Sequence, residues 1–153
     1  MNIYTDIMTV REIYLASDHA GFAMKMDLAE ELRDWGHSVH DLGPQNAERV
    51  DYPDYARQLA DAMKPVDDAL GVLVCGSGIG IAMMANRYSW IRAAVCHDVT
   101  GAQLARQHND ANVIAFGERL TGIAPAINAL KAFIDTEFEG GRHAARVEKL
   151  ATP

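Results

Sequence analysis

Short runs of consecutive apolar residues alternate along this chain with longer stretches in which apolar positions recur every three or four residues. The first kind reads as buried strands, the second as helices with one apolar face. Strands are predicted over 13–17, 38–42, 71–75, 92–96 and 113–116. Between the first two, Leu28, Leu32 and Trp35 share a helical face and Gly36 offers a C-terminal cap. Asp51, Tyr52 and Pro53 read as a helix entry, with Tyr55, Leu59 and Met63 on one face beyond it. Further helical segments are expected over 80–86, 100–108 and 124–137, and a separate short helix over 142–150, after Gly140 and Gly141. Strands alternating with helices imply a mostly parallel sheet covered on both faces, an open three-layer α/β/α arrangement. No internal repeat or interdomain linker interrupts the pattern, so a single domain is expected over 10–153, preceded by an extension over 1–9.

Composition narrows the partners. The chain has 153 residues, 49% of them apolar, enough for one substantial core. Its formal net charge of −7 opposes a general nucleic-acid or anionic-membrane surface, which needs a broad excess of Lys and Arg. Any phosphate site must therefore be a local cluster of cations. No run of about 18 apolar residues suggests a membrane span. Two cysteines, Cys75 and Cys96, are too few for a disulfide framework, which points to a reduced, cytoplasmic setting.

Open parallel sheets bind ligands beyond the carboxyl ends of their strands. Four of the five predicted ends carry unusual chemistry. The first runs into Asp18, His19 and Gly21, and the fourth into Cys96, His97 and Asp98; the fifth ends at Gly117, Glu118 and Arg119. The third runs into Cys75-Gly-Ser-Gly-Ile-Gly80, where three glycines free successive N–H groups to face one ligand and a helix start adds partial positive charge. Such a loop stabilises an anion and suits a thiol acting as base or nucleophile. The plainer reading is a packed cysteine beside a tight turn.

Two rival readings use the same residues. A dinucleotide fingerprint could involve Gly76, Gly78 and Gly80 with Asp98, but its third glycine comes one residue early and the loop follows the third strand. A metal hydrolase could draw on Asp18, His19, Cys75, His97 and Asp98, which match no tight metal-ligand spacing. His108 closes a helix, where a histidine also serves as a simple C-terminal cap. Arg142 and Arg146 present two guanidinium groups on one helical face, either as a phosphate clamp or as a solvated basic face.

Six segments taken together resemble the family containing ribose-5-phosphate isomerase B, allose-6-phosphate isomerase and the galactose-6-phosphate isomerase subunits. They are Ser17-Asp-His-Ala-Gly21, Asp51-Tyr-Pro53, Cys75-Gly-Ser-Gly-Ile-Gly80 with Asn86, Arg106-Gln-His-Asn-Asp110, Phe116-Gly-Glu-Arg119, and Gly140-Gly-Arg-His143 with Arg146. The resemblance implies a Rossmann-like α/β/α sandwich with a five-stranded parallel sheet and a C-terminal helix. It implies interconversion of D-ribose 5-phosphate and D-ribulose 5-phosphate through a cis-enediolate, with Cys75 as the base. His108, with Ser77 and Asp18, would open the furanose ring. Asn109 would hold sugar hydroxyls, and His19, Arg119, Arg142 and Arg146 the phosphate. Tyr52, Gly76, Gly78, Ile79 and Gly80 complete the expected substrate-binding set. No metal and no organic cofactor are implied. The expected assembly is a homodimer or a dimer of dimers, with active sites at the subunit interface and the C-terminal arginines supplied by the neighbour. Related six-carbon or four-carbon sugar phosphates are alternative substrates. A non-catalytic sugar-phosphate sensor on the same fold would need the cationic positions but not the base.

Overall fold

The computed structural model describes residues 8–153; most of the expected extension, residues 1–7, lies outside the described residues. Five strands, β1 (Glu12–Ser17), β2 (Ser38–Asp41), β3 (Leu70–Cys75), β4 (Ala93–Val95) and β5 (Val113–Gly117), form one sheet in the order β2-β1-β3-β5-β4. All four pairings are parallel. The helices are α1 (Phe22–Asp34), α2 (Tyr52–Met63), α3 (Ile79–Ala85), α4 (Val99–Asn109), α5 (Ile123–Asp135) and α6 (Ala144–Leu150). This is the Rossmann-like α/β/α sandwich that the residue pattern and the family resemblance predict.

The period-2 geometry of the strands divides the core. Leu70, Val72 and Val74 form one row, and with Ile13, Leu15, Ile114 and Phe116 that row meets α1, α4 and α5. Leu73 and Cys75 point the other way, with Ala16, Val113 and Ala115, toward α2 and α3. Each buried leucine or phenylalanine contributes about 1.5–3 kcal/mol relative to exposure. Central β3 is buried along its whole length, which is why its sequence is a continuous apolar run. Gly71 belongs there because a Cβ would come within 2.8 Å of Met63 Sδ and 2.9 Å of Val113 Cγ2.

Helix ends follow the expected chemistry. Gly36, at φ +88°, terminates α1 in the left-handed conformation, its N–H donating to Arg33 O (2.9 Å). Asp51 precedes α2 in extended geometry and Pro53 lies in the first turn. Lys25, fully buried in α1, donates to both carboxylate oxygens of Asp41 (2.7 and 2.8 Å) and to Pro44 O (3.0 Å). That ion pair ties α1 to the end of β2 and to the turn that leads toward α2.

The C-terminal helix differs from the expectation. A single 3-10 turn over Gly141–His143 precedes α6, because Gly140 and Gly141 both have positive φ and bend the chain first. No residue of α6 is buried.

Candidate active site

Successive connections leave β1 and β3 toward opposite sides of the sheet, β1 to β2 and β3 across β5 to β4, and the crevice between their carboxyl ends is the open position. Three loops meet there. After β1, Asp18 is held by its own N–H donating to Val74 O (3.1 Å), while its carboxylate accepts from Gly21 N–H (3.0 Å). Gly21 can approach so closely only without a side chain, since a Cβ would lie 2.5 Å from Val74 O. His19 Nδ1 lies 3.3 Å from Val50 N and 3.2 Å from Val50 O, which fixes its ring against the loop before α2.

After β3, Gly78 adopts φ +76° and starts α3. Its N–H donates to Cys75 Sγ at 3.1 Å, and the Ile79 N–H donates to Ser77 Oγ at 3.2 Å. The loop is stapled to the next strand end, with Glu118 N–H donating to Cys75 O (2.9 Å) and Arg119 N–H to Gly76 O (3.0 Å). The Arg119 guanidinium lies over Gly76, 3.4 Å from where a Cβ would stand, and the Tyr52 ring covers Gly80 at 2.7 Å from the equivalent point. The glycines thus serve contact as well as backbone freedom. Glu118 accepts from Met24 N–H (3.2 Å) at the start of α1. Burial pushes its carboxyl above the usual range, a shift that this hydrogen bond opposes.

The result is a cleft of about 440 Å³ lined by Asp18, Tyr52, Cys75, Gly76, Ser77, Ile79, Gly80, Arg119 and Leu120. Eight of these nine are sequence-predicted site residues. Leu120 is the addition, 60% exposed at the rim; a leucine in a turn just beyond a strand end was the available signal.

The remaining expected residues gather elsewhere. His108 and Asn109 end α4, which runs back along the sheet, and the chain then turns into the start of β5. Gly71 pairs with Val113 and Cys75 with Gly117, so at about 3.3 Å per residue the two ends of β5 are roughly 13 Å apart. Within one chain, His108 and Asn109 therefore stand at the opposite end of the sheet from Cys75. Arg106 and Asp110 of the same segment are architecture: Arg106 is buried and donates to Thr136 O (3.1 Å), Ala111 O (2.6 Å) and Asp110 Oδ1 (3.2 Å). Asn86 likewise ties α3 to β4, donating to Ala93 O (2.9 Å) and accepting from Ala93 N–H (2.7 Å).

His108 stacks on His143 with ring centroids 4.4 Å apart and planes 15° apart, and its Nε2 lies 3.7 Å from Glu139 Oε1. Ligand atoms of His108, Glu139 and His143 all fall within 4.8 Å of one another. Nearly parallel rings, however, aim their in-plane lone pairs side by side rather than at one point, and Arg142 Nε–H already donates to His143 Nε2 (3.4 Å). This arrangement does not converge on a metal ion. Arg142 and Arg146 are exposed beside it. The residues of the rival readings disperse as well: Asp98 caps α4, accepting from Gly101 N–H (2.6 Å), and His97 lies 3.3 Å from Thr121 Oγ1, both beyond an edge strand that β5 separates from β3.

Similarity to known proteins decides the family. The model of the ribose/galactose isomerase family matches residues 13–150. The chain belongs to that family. Ribose-5-phosphate isomerase B of Escherichia coli K12 is 43% identical over 92% of this chain and 95% of its own length. A ribose 5-phosphate isomerase structure from Thermotoga maritima superposes with a TM-score of 0.91 at 40% identity, covering 94% of this chain and 99% of that one. The Mycoplasma genitalium enzyme solved with bound ribulose-5-phosphate gives 0.88 at 39%, covering 92% and 93%. This member of the ribose/galactose isomerase family has, among the described residues, no helix long and apolar enough to cross a membrane.

Proposed function

We propose that this chain is a cofactor-independent aldose–ketose isomerase that interconverts D-ribose 5-phosphate and D-ribulose 5-phosphate, with Cys75 as the base. The observation that carries the mechanism is the Cys75 sulfur at the floor of the cleft, facing a glycine-rich turn that donates an N–H to it. Cys75 as thiolate takes the C2 proton of the opened aldose, the electron pair forms the cis-enediolate, and the resulting thiol returns that proton to C1 while a proton passes from O2 to O1. Backbone N–H groups of the Gly76 to Gly80 loop stabilise the developing oxyanion, as preorganised donors do. His108, with Ser77 and Asp18, opens the furanose ring; Asn109 and Tyr52 hold the sugar. His19, Arg119, Arg142 and Arg146 hold the phosphate, the guanidinium groups by paired charge-assisted hydrogen bonds. The chemistry needs a base and anion stabilisation, and no metal is assigned to it.

The separation of Cys75 from His108 argues that the site is completed by a second copy. Each chain presents two incomplete halves, one with the thiol and one with His108, Asn109, Arg142 and Arg146. Ile79, Met83 and Leu120 expose apolar surface around the first half, and α6 lies unburied beside the second. A homodimer, or a dimer of dimers, that joins unlike halves supplies both active sites. Two free cysteines are consistent with a cytoplasmic enzyme.

The family includes isomerases of more than one sugar, so the test is a panel. Isomerisation of phosphorylated tetroses, pentoses and hexoses is followed by NMR in deuterium oxide. Fastest turnover on ribose 5-phosphate, with carbon-bound deuterium, is expected. A hexose phosphate turned over faster would reassign the substrate. Binding without exchange on any sugar phosphate would leave only a sensor.

A further inference from the structure

We propose that His143 is a positioning residue for ring opening: stacked on His108 and bonded by Arg142, it couples the phosphate-binding arginine to the histidine that opens the sugar. The inference rests on the ring-opening role given to His108 above, and no part of that role so far uses His143.

The geometry begins with attachment. Among residues 141–153, His143 alone is buried, at 8% exposure, while Arg142 and Ala144 on either side are exposed. The positive-φ glycines Gly140 and Gly141 turn the chain back so that this one ring packs inward, and His143 N–H donates to Gly140 O (3.0 Å). What it packs on is the His108 ring, at a centroid distance within the range of stacked aromatic pairs. The C-terminal segment is thus docked through the same side chain that fixes His108.

Protonation follows from the contacts. Arg142 Nε–H points at His143 Nε2 (3.4 Å), so that nitrogen keeps its lone pair and the ring proton sits on Nδ1. A second proton on His143 would place an N–H against an N–H of a cation. Burial pushes its pKa down, and His108, Arg142 and Arg146 push the same way; Glu139 alone opposes. His143 is therefore the neutral partner of the stack, and His108 Nε2 on its other side faces the Glu139 carboxylate at 3.7 Å. On its own helix, Arg106 and Asp110 bond to each other. The stacked His143 ring holds the His108 ring still, as an acid–base group that must both give and take a proton requires. When a phosphate draws on Arg142, the N–H at His143 Nε2 is the contact that registers it.

The test compares His143→Ala and His143→Phe with His108→Ala in the full-length protein. Two substrates separate ring opening from proton transfer: ribose 5-phosphate, which is mostly cyclic, and ribulose 5-phosphate, which has no free 5-hydroxyl to close a furanose. We expect His143→Ala to slow the cyclic aldose about 10-fold, a fraction of the 10²–10⁴ assigned to a full acid–base group. The pH profile of that rate should change, while deuterium exchange into ribulose 5-phosphate stays within about twofold. His143→Phe keeps the stack and should recover most of the rate. If His143→Ala unfolds, His143→Phe still reports the pH profile, which the loss of the Arg142 contact should alter. Unchanged cyclic turnover and pH profile in both variants, where His108→Ala loses cyclic turnover, overturns the proposal alone. Equal slowing of both substrates marks His143 as structural and also overturns it. Intact cyclic turnover in His108→Ala removes the ring-opening assignment and this inference with it.

Discussion

Cys75 and Cys96 are the same residue in nearly the same burial: both are free thiols, both are 4% exposed, and each stands at the carboxyl end of a parallel strand. Their surroundings differ in two respects. Cys75 ends central β3, where a glycine turn sends the Gly78 N–H to its sulfur and Asp18, Tyr52 and Arg119 share the cleft above it. Cys96 follows edge strand β4 and faces the opposite layer, in the cluster beneath α1, α4 and α5; its sulfur donates to the local Ala94 O, at 3.7 Å. Burial and the nearby Asp98 push its thiol up to about 11. Burial alone therefore does not define a cysteine's surroundings. The Gly78 N–H and the opening above the sulfur set Cys75 apart, and both come from where the loops cross the sheet order.

The strongest way to break this contrast is to remove the central sulfur. Cys75→Ala should lower isomerisation by about 10²–10⁴, the range for a positioned general base. Carbon-bound proton exchange should fall with it, while sugar-phosphate binding and the folded state persist, because Arg119, the loop amides and the apolar layers remain. An alanine variant that exchanges the C2 proton at the normal rate would assign the base elsewhere.

How much of this contrast was legible in the sequence depends on distance along the chain. The apolar runs located all five strands, and the glycines after Cys75 located the loop, since both are local signals. β4 came out shorter than predicted, Ala93–Val95 against 92–96, because it pairs on one side only. The placement of β5 between β3 and β4 was not legible. Strand order depends on packing between segments far apart, and it decides that His97 and Asp98 leave the site while Arg119 enters it. Nor did any periodic signal mark His143, whose stacking contact with His108 reaches across 35 residues.

A smaller effect sharpens the comparison from the other half of the site. Arg142→Ala and Arg146→Ala should each raise KM for the sugar phosphate roughly 10-fold or more, as loss of charge-assisted hydrogen bonds worth about 1.5–3 kcal/mol would do. Because these arginines lie far from Cys75 within one chain, mixing a Cys75→Ala subunit with an Arg142→Ala subunit should restore part of the activity in hybrids. Absence of recovery, with subunit exchange verified by mass, would place both halves in one chain and undo the shared site.

The smallest expected effect belongs to the other cysteine. Cys96→Ala removes one buried sulfur at an edge, which should cost about 1 kcal/mol of stability and leave turnover within about twofold. At pH 8 a thiol titrating at about 11 is ionised in about one molecule in a thousand, so iodoacetamide should label the native protein once per chain, at Cys75, and substrate should protect that site. The same shift fixes a pH dependence. An acid whose folded pKa lies above its unfolded value stabilises the fold at low pH and loses that contribution as pH rises, here from about 9 and completely beyond about 11. Melting temperatures of the native protein should fall across that window, and Cys96→Ala should flatten the fall. Labelling of Cys96 at a rate like that of Cys75, or an alkaline melting profile unaltered by Cys96→Ala, would mean that the two thiols share one environment and that the glycine turn is not what separates them.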